Sequence, residues 1–316
     1  MSNVVSIVKG NDAGYAVNKT FNLLKPKIKP GNLCLIKPNL CTLKSPKTGA
    51  TTHPELVMEI TNKLRDYFTE VAVIESDSGA STAEMKFKYC GYNDIAKLEN
   101  VRLLNLTKSK CVKWKFENSG LTVDLPEILL NCDYFVSVPT LKTHSLTVFT
   151  ANIKNLYGLL PHPRKTIYHN NVNEIVAELN VLVKPELCLV DGIVGMQGNG
   201  PNKGEPAHFG AVIGGTDSLL TDVVCCYAIG LNPMKVRYLR ISAEYLKRKL
   251  PNLNDVKIVG NSLNEVRRRF RPAPREQPFS DWLKDSLIAN RQIGFVLDYG
   301  LIPVIRHFRK KLIRGQ

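Results

Sequence analysis

The chain has 316 residues, 44% hydrophobic and 22% charged, a balance that excludes a disordered polypeptide and gives core enough for one large domain or two. Its net charge of +15 is concentrated at one end: residues 1–234 hold 24 Lys+Arg against 21 Asp+Glu, and residues 235–316 hold 19 against 7. That asymmetry points to an anionic membrane surface, nucleic acid or a polyanionic partner, or to a solvated basic surface.

Val4 to Val8 reads as a short strand, and Ala13 to Leu24 as a helix, with Tyr15, Val17, Phe21 and Leu24 at roughly helical spacing and Pro26 and Pro30 ending it. Leu33 to Ile36 is an apolar run of buried-strand type that breaks at Lys37-Pro38-Asn39, where proline cannot continue the ladder. A polar loop leads to Thr51-Thr52-His53-Pro54-Glu55. Leu56, Ile60, Leu64 and Phe68 then mark a helix whose N-cap falls near Thr52 or His53. Val71 to Ile74 is a further buried strand ending in Glu75-Ser76-Asp77, before a helix over 82–98 and a strand over Val101 to Leu106. Residues 107–125 read as a hairpin with Val112, Trp114 and Phe116 on one face.

The strand Asp133 to Val138 delivers the densest polar stretch, which contains Lys142, Thr143, His144, Lys154, Asn155, His162 and His169. Phe149, Ile153 and Leu156 fall at i, i+4 and i+7, so the spacing predicts a helix from about 147 to 157 that places Thr150 and Lys154 on another face, stopped at Gly158. A helix over 172–183 follows, then a strand Leu187 to Val190 ending in Asp191-Gly192. Next come the glycine-rich Gly195 to Pro201, a strand Phe209 to Ile213 ending in Thr216-Asp217, and a helix over 218–229. The glycine-rich segment reads first as a turn or lid and only loosely as a phosphate cradle through Gly198 and Gly200.

Repeated strand, polar turn and amphipathic helix predict an α/β fold: a mostly parallel sheet with helices on both faces, plus a basic helical C-terminal appendage. Ligands in such folds bind beyond the strands' C-terminal ends. Five ends carry polar groups here: Lys37 with Asn39, Glu75 with Asp77, Lys142 with His144, Asp191, and Asp217. The domain boundary is placed at 277, with an α/β domain over 1–277 and the appendage over 278–316. Met234 to Lys249 is a basic helix and Val256 to Gly260 a last strand. In the appendage Ile293 to Ile305 is apolar for only thirteen residues, short of the roughly twenty needed to span a bilayer. An interfacial helix followed by Arg306, Arg309, Lys310 and Lys311 fits, as does a helix docked on the core.

The start of the chain, Met1 to Lys9, has no export-signal pattern, so a cytoplasmic protein, peripheral at the membrane if the basic end docks there, is expected. Eight scattered cysteines without a C-x-x-C spacing read as small buried hydrophobes rather than a cluster site. No specific nucleic-acid binding is expected, because the basic run carries no known nucleic-acid-binding module.

For chemistry, His144 and His53 could pass protons if they converge, and Lys142 and Lys154 could hold a carboxylate or phosphate or act themselves. His53, His144, His169, Asp77, Asp191 and Asp217 are donors enough for a divalent metal, with His169 and the three aspartates as the metal candidates. The resulting expectation is an enzyme with a His/Lys centre, acting on a small or lipid-linked anionic substrate by proton or electron transfer. The alternative is a non-catalytic cofactor-binding or assembly factor docking through its basic end.

Lys37-Pro-Asn39, Thr51-Thr-His53-Pro, the Ser76-Asp77 region, Pro139-x-x-Lys142-Thr-His144, Lys154-Asn155-x-x-Gly158, His169, Asp191-Gly192, Gly198-x-Gly200-Pro201 and Gly215-x-Asp217 together resemble the bacterial and archaeal family called domain of unknown function 362, over roughly residues 30–230. Within these motifs the expected cofactor-binding positions are Lys37, Asn39, Asn155, Gly198 and Gly200. Because some members of the family carry ferredoxin-type cluster domains, the resemblance implies redox work, here with an external iron–sulfur electron-transfer partner. The order His144, Lys154, His169 resembles the nickel-pincer lactate racemase family, which implies a cofactor-holding lysine and histidines as acid/base or metal ligand.

Overall fold

The structure, a computed structural model, describes residues 3–79 and 81–274. In chain order its elements are β1 (Val4–Lys9), α1 (Ala13–Leu24), β2 (Gly31–Pro38), α2 (Pro54–Leu64), β3 (Phe68–Glu75), α3 (Ala83–Tyr89) and β4 (Val101–Asn105). The hairpin β5 (Cys111–Lys115) and β6 (Thr122–Pro126) follows, then β7 (Tyr134–Val138), β8 (Thr140–His144), β9 (Val148–Thr150), α4 (Asn152–Asn155) and α5 (Val172–Val183). The last elements are β10 (Leu187–Gln197), β11 (Glu205–Ala207), β12 (Ala211–Gly215), α6 (Ser218–Ala228), α7 (Arg237–Tyr245), β13 (Lys257–Gly260) and α8 (Leu263–Val266). Residues 3–163 and 173–274 form one compact unit, and residues 164–172, a single 3-10 turn over Lys165–Asn171, belong to a second. The boundary expected at 277 and the appendage 278–316 lie outside the described residues.

The main sheet has the order β13-β1-β12-β10-β7-β2-β3-β4. Its neighbours are parallel except at β12, which is antiparallel to both β1 and β10. Alternate residues serve opposite faces: Cys34, Ile36, Val71, Val73, Val136 and Leu189 join a cluster with Val17 of α1 and with Leu56 and Ile60 of α2. Leu35, Ala72, Ile74 and Val190, one residue out of phase, are buried as well, and α6 covers β1, β10 and β12. The α/β fold with a largely parallel sheet is therefore as the strand pattern implies.

Three local expectations change. The helix expected from 147 begins only at Asn152, because the strand-favouring Val148-Phe149-Thr150 pairs instead with β8, with Lys142 opposite Thr150 and His144 opposite Val148. The helix over 82–98 stops at Tyr89, ahead of Gly91 at φ 84°, and resumes as a 3-10 turn over Ile95–Lys97. The strand expected over 187–190 runs on to Gln197 and turns back as β11, so of the two readings of the glycine-rich segment, turn or lid, it is the turn of a hairpin.

Candidate functional site

The C-terminal ends of β2, β3, β7 and β10 share one edge of the sheet. There Lys37, last but one in β2, places Nζ 2.7 Å from Oε2 of Glu75, the final residue of the neighbouring β3. Both are almost fully buried, as is Lys86 of α3, whose Nζ donates to the Ser76 carbonyl at 2.7 Å. Burial pulls the Lys37 ammonium below its usual range, against the pull of Glu75. Burial also raises the Glu75 carboxyl, but Lys37 and Lys86, with the Lys37 and Ser76 hydrogen bonds, outweigh it and hold the group below the ordinary carboxylate range. The Leu40 and Ser76 amides complete the shell of Glu75.

Around this knot the remaining motifs interlock. The Asn155 amide donates to the Lys37 carbonyl at 2.9 Å, and its Oδ1 receives Asn39 Nδ2 at 3.3 Å. Gly158 lies over the ion pair so closely that a Cβ there would stand 2.9 Å from Lys37 Nζ. Lys142 is 1% exposed, and its ammonium donates to Asn39 Oδ1 at 2.7 Å, the Ala50 carbonyl at 2.8 Å and Cys41 Sγ at 3.4 Å. Three partners match its three N–H bonds, so Lys142 is a framework group and not the substrate-facing amine expected of it.

His53 sits at the N-cap of α2, held there by Pro54 in the first turn. Its ring Nδ1 lies 2.8 Å from Asp191 Oδ2, and its backbone amide donates to the same oxygen at 2.8 Å. Asp191 is fully buried, and its other oxygen receives the Ile193 amide. For the imidazole, burial is the largest influence and lowers the pKa. The hydrogen bond and charge of Asp191, aided by Glu55, more than reverse it, so His53 keeps its proton above the ordinary 6.5. With Nδ1 committed to Asp191, Nε2 is the atom left for exchange, and the side chain is 15% exposed.

At the same edge, His144 ends β8 and accepts the Leu146 amide on Nδ1 at 3.0 Å, which leaves its proton on Nε2 in the neutral ring. The ammonium of Lys154, in α4, stands 4.3 Å from the ring centre of Tyr157. α4 is anchored by the buried Asp222, which accepts the Asn152 and Ile153 amides at 2.8 and 3.0 Å.

Other expected site residues are not gathered here. Because β12 runs against its neighbours, Asp217 lies at the opposite edge, where it caps α6 and binds Arg248 through both oxygens. Asp77 receives Asn105 Nδ2 and the Ala83 amide, three strands from Asp191. His169 is in the second unit. Of the expected metal set His169, Asp77, Asp191 and Asp217, the three aspartates stand apart, and among the described residues no three His, Cys, Asp or Glu side chains group as a metal centre. The amides of Gly198 and Gly200 donate to Arg271 O and Gly198 O, so they form a turn and not a phosphate cradle.

Lys86, Asp222 and Cys41 are not among the site residues that the sequence points to, and Glu75 enters there only as a strand-end polar group. Glu75 carried a signal, since it occupies the strand-end position that Lys37 holds in the adjacent strand. Lys86, at i+3 from buried Ala83 and beside buried Phe87, is a lysine on an apolar face. Of the cysteines, five are buried as expected, Cys41 and Cys132 are half-buried and Cys111 is exposed. Burial pushes the Cys90 thiol up to about 11, away from nucleophilic use.

A model of the family described as Domain of unknown function (DUF362) matches residues 34–227. A thylakoid-associated protein of Synechocystis sp. is 24% identical over 238 residues, covering 71% of this chain and 73% of that protein. Among solved structures, the lactate racemase apoprotein from Thermoanaerobacterium thermosaccharolyticum aligns with a TM-score of 0.47 and 11% identity, over 72% of this chain and 57% of that one. A Thermotoga maritima protein aligns with a TM-score of 0.36 and 9% identity, over 76% of this chain and 60% of that one. The chain thus spans less than two thirds of either solved chain.

Proposed function

This chain belongs to the Domain of unknown function (DUF362) family, and on that footing we propose that it is an enzyme that moves a proton at a carbon centre of a small or lipid-linked anionic substrate. The observation that carries the reading is the His53–Asp191 pair. A fully buried carboxylate locked by two amides fixes one ring nitrogen and leaves Nε2 to take and return a proton. Asp191 is the positioning group. His144, with Nε2–H as donor, and Lys154 are the groups assigned to the substrate's anionic end. Lys37, Glu75 and Lys142 hold the edge rigid around them.

The test is deuterium exchange. The full-length protein is incubated in D2O with a panel of small carboxylates and phosphate esters, and label at carbon-bound positions is read by mass spectrometry. Wild type is expected to exchange at least one of them, and His53→Gln to lose about a hundredfold or more of that rate with its circular dichroism unchanged. Equal exchange by both proteins, or none by wild type across the panel, overturns the reading.

A second reading concerns place. The basic C-terminal quarter and the thylakoid-associated relative support peripheral attachment to an anionic membrane surface. Among the described residues no helix is long and apolar enough to cross a membrane. A chain lacking 278–316 that keeps turnover but loses membrane fractionation fits an enzyme docked by its basic end, whereas loss of all function from a protein without turnover fits an assembly factor.

A further inference from the structure

The segments that follow and flank the C-terminal end of α6 carry five exposed cations without a carboxylate partner among the described residues, of which Arg268 donates through Nη1 to the His208 carbonyl. The backbone of Arg268 donates to Ala228 O and that of Phe270 to Ile229 O, so the segment 267–270 runs beside the last turn of α6. The Arg269 side chain lies against Gly230, with its Cγ 3.2 Å from where a Cβ on that glycine would stand. Three residues beyond Gly230 a 3-10 turn over Pro233–Lys235 leads into α7, which packs on α6. Lys235, Arg240, Arg267, Arg268 and Arg269 are all exposed, and Met234 among them is 59% exposed.

Among the described residues no carboxylate lies within ion-pair distance of these five cations, although Arg237, Arg248 and Arg271 close by are paired with Glu174, Asp217 and Glu205. Glu244 is an exposed acid on the outer side of α7. The carbonyl end of α6 carries only about half a negative charge, enough to account for one of the five. Tyr238, Leu239, Ser242 and Ala243 bury the inner side of α7, so the cations are not needed to seat the helix. The chain passes Arg271 and leaves the described residues at Pro274, and the sequence that follows is itself basic with one short apolar run.

We propose that Met234, Lys235, Arg240, Arg267, Arg268 and Arg269 form the face by which the protein docks on an anionic lipid surface. The inference rests on the peripheral-membrane reading above and gives it an address within the folded unit. A basic cluster with one exposed apolar side chain suits headgroup phosphates. Its two interleaved aromatics, Tyr238 and Phe270, are buried, so the face presents no ring for base stacking, as a nucleic-acid surface would.

The test uses full-length protein and sedimentation with vesicles of phosphatidylcholine alone or mixed with phosphatidylglycerol, at low and high salt. Wild type is expected on the mixed vesicles only, and to be released by salt. Lys235→Glu/Arg240→Glu/Arg267→Glu should weaken binding by about tenfold or more with an unchanged melting temperature. A parallel variant, Arg306→Glu/Arg309→Glu/Lys310→Glu, tests the C-terminal sequence. Failure of wild type to bind mixed vesicles overturns the membrane reading itself. Binding lost only by the C-terminal variant overturns the face and leaves that reading standing. Tighter binding to duplex DNA than to vesicles overturns both in favour of nucleic acid.

Discussion

The His53 ring and the Asp191 carboxylate meet at 2.8 Å although 138 residues separate them in the chain. Asp191→Asn keeps one acceptor oxygen, so it loses one of the two amide hydrogen bonds, which go to different carboxylate oxygens, together with the charge that holds the imidazole proton. The expected cost is about 1–3 kcal/mol of stability. Because the folded pKa of His53 is raised, its contribution is fully present below pH 6.5 and is lost as pH rises through the folded value. In Asp191→Asn that fall is expected to vanish and the His53 resonance, followed by NMR, to titrate lower than in wild type.

The Lys37–Glu75–Lys86 knot predicts an asymmetry. Glu75→Gln leaves two buried ammonium groups uncompensated, whereas Lys37→Met leaves Glu75 with Lys86 still near it. Denaturant titration is expected to show a loss of about 3–5 kcal/mol for Glu75→Gln and a smaller one for Lys37→Met. The folded pKa of Glu75 is lowered, so its stabilisation is present above about pH 4.5 and is lost as pH falls through the folded value. Acid unfolding of wild type should therefore be steeper than that of Glu75→Gln.

Asp222 runs the other way. Burial raises its carboxyl, against the Ile153 and Asn152 hydrogen bonds, to about 7. The folded protein then holds a proton that the unfolded chain releases near pH 4, so stability declines as pH rises from about 4 to 7. Asp222→Asn should flatten that decline in melting temperatures measured across pH 4–8, while lowering the melting temperature at pH 5 by loosening the start of α4.

Two glycines of one turn should differ sharply. Gly198 has φ 76° with open space around it, so Gly198→Ala is expected to cost about 1–2 kcal/mol from backbone conformation alone. A Cβ on Gly200 would stand 1.9 Å from the Thr143 carbonyl, a backbone atom that cannot swing aside. Gly200→Ala should displace the hairpin from β8 and lower the melting temperature much further than Gly198→Ala.

The interlocked motifs were legible in part. Lys37, Asn39, His53, Lys142, Asn155 and Asp191 all lie at the edge that apolar runs ending in polar turns predict. What the motifs do was not legible. Lys142 looks like a reactive lysine in sequence, yet it is spent on Asn39, Ala50 and Cys41, because burial and partners are properties of the packed chain. The helix expected at 147 failed because i, i+4, i+7 spacing does not register that a preceding strand can capture Val148, Phe149 and Thr150.

The sequence by itself determined the alternation of strand and helix, and with it a largely parallel sheet with polar groups at strand ends. Local periodicity encodes both, since period two and period 3.6 are read within a few residues. Only the tertiary structure decided that β12 runs backwards, carrying Asp217 to the far edge, and that His53 takes Asp191 as its partner. Strand direction and long-range pairing depend on register between segments distant in the chain, which no local spacing records.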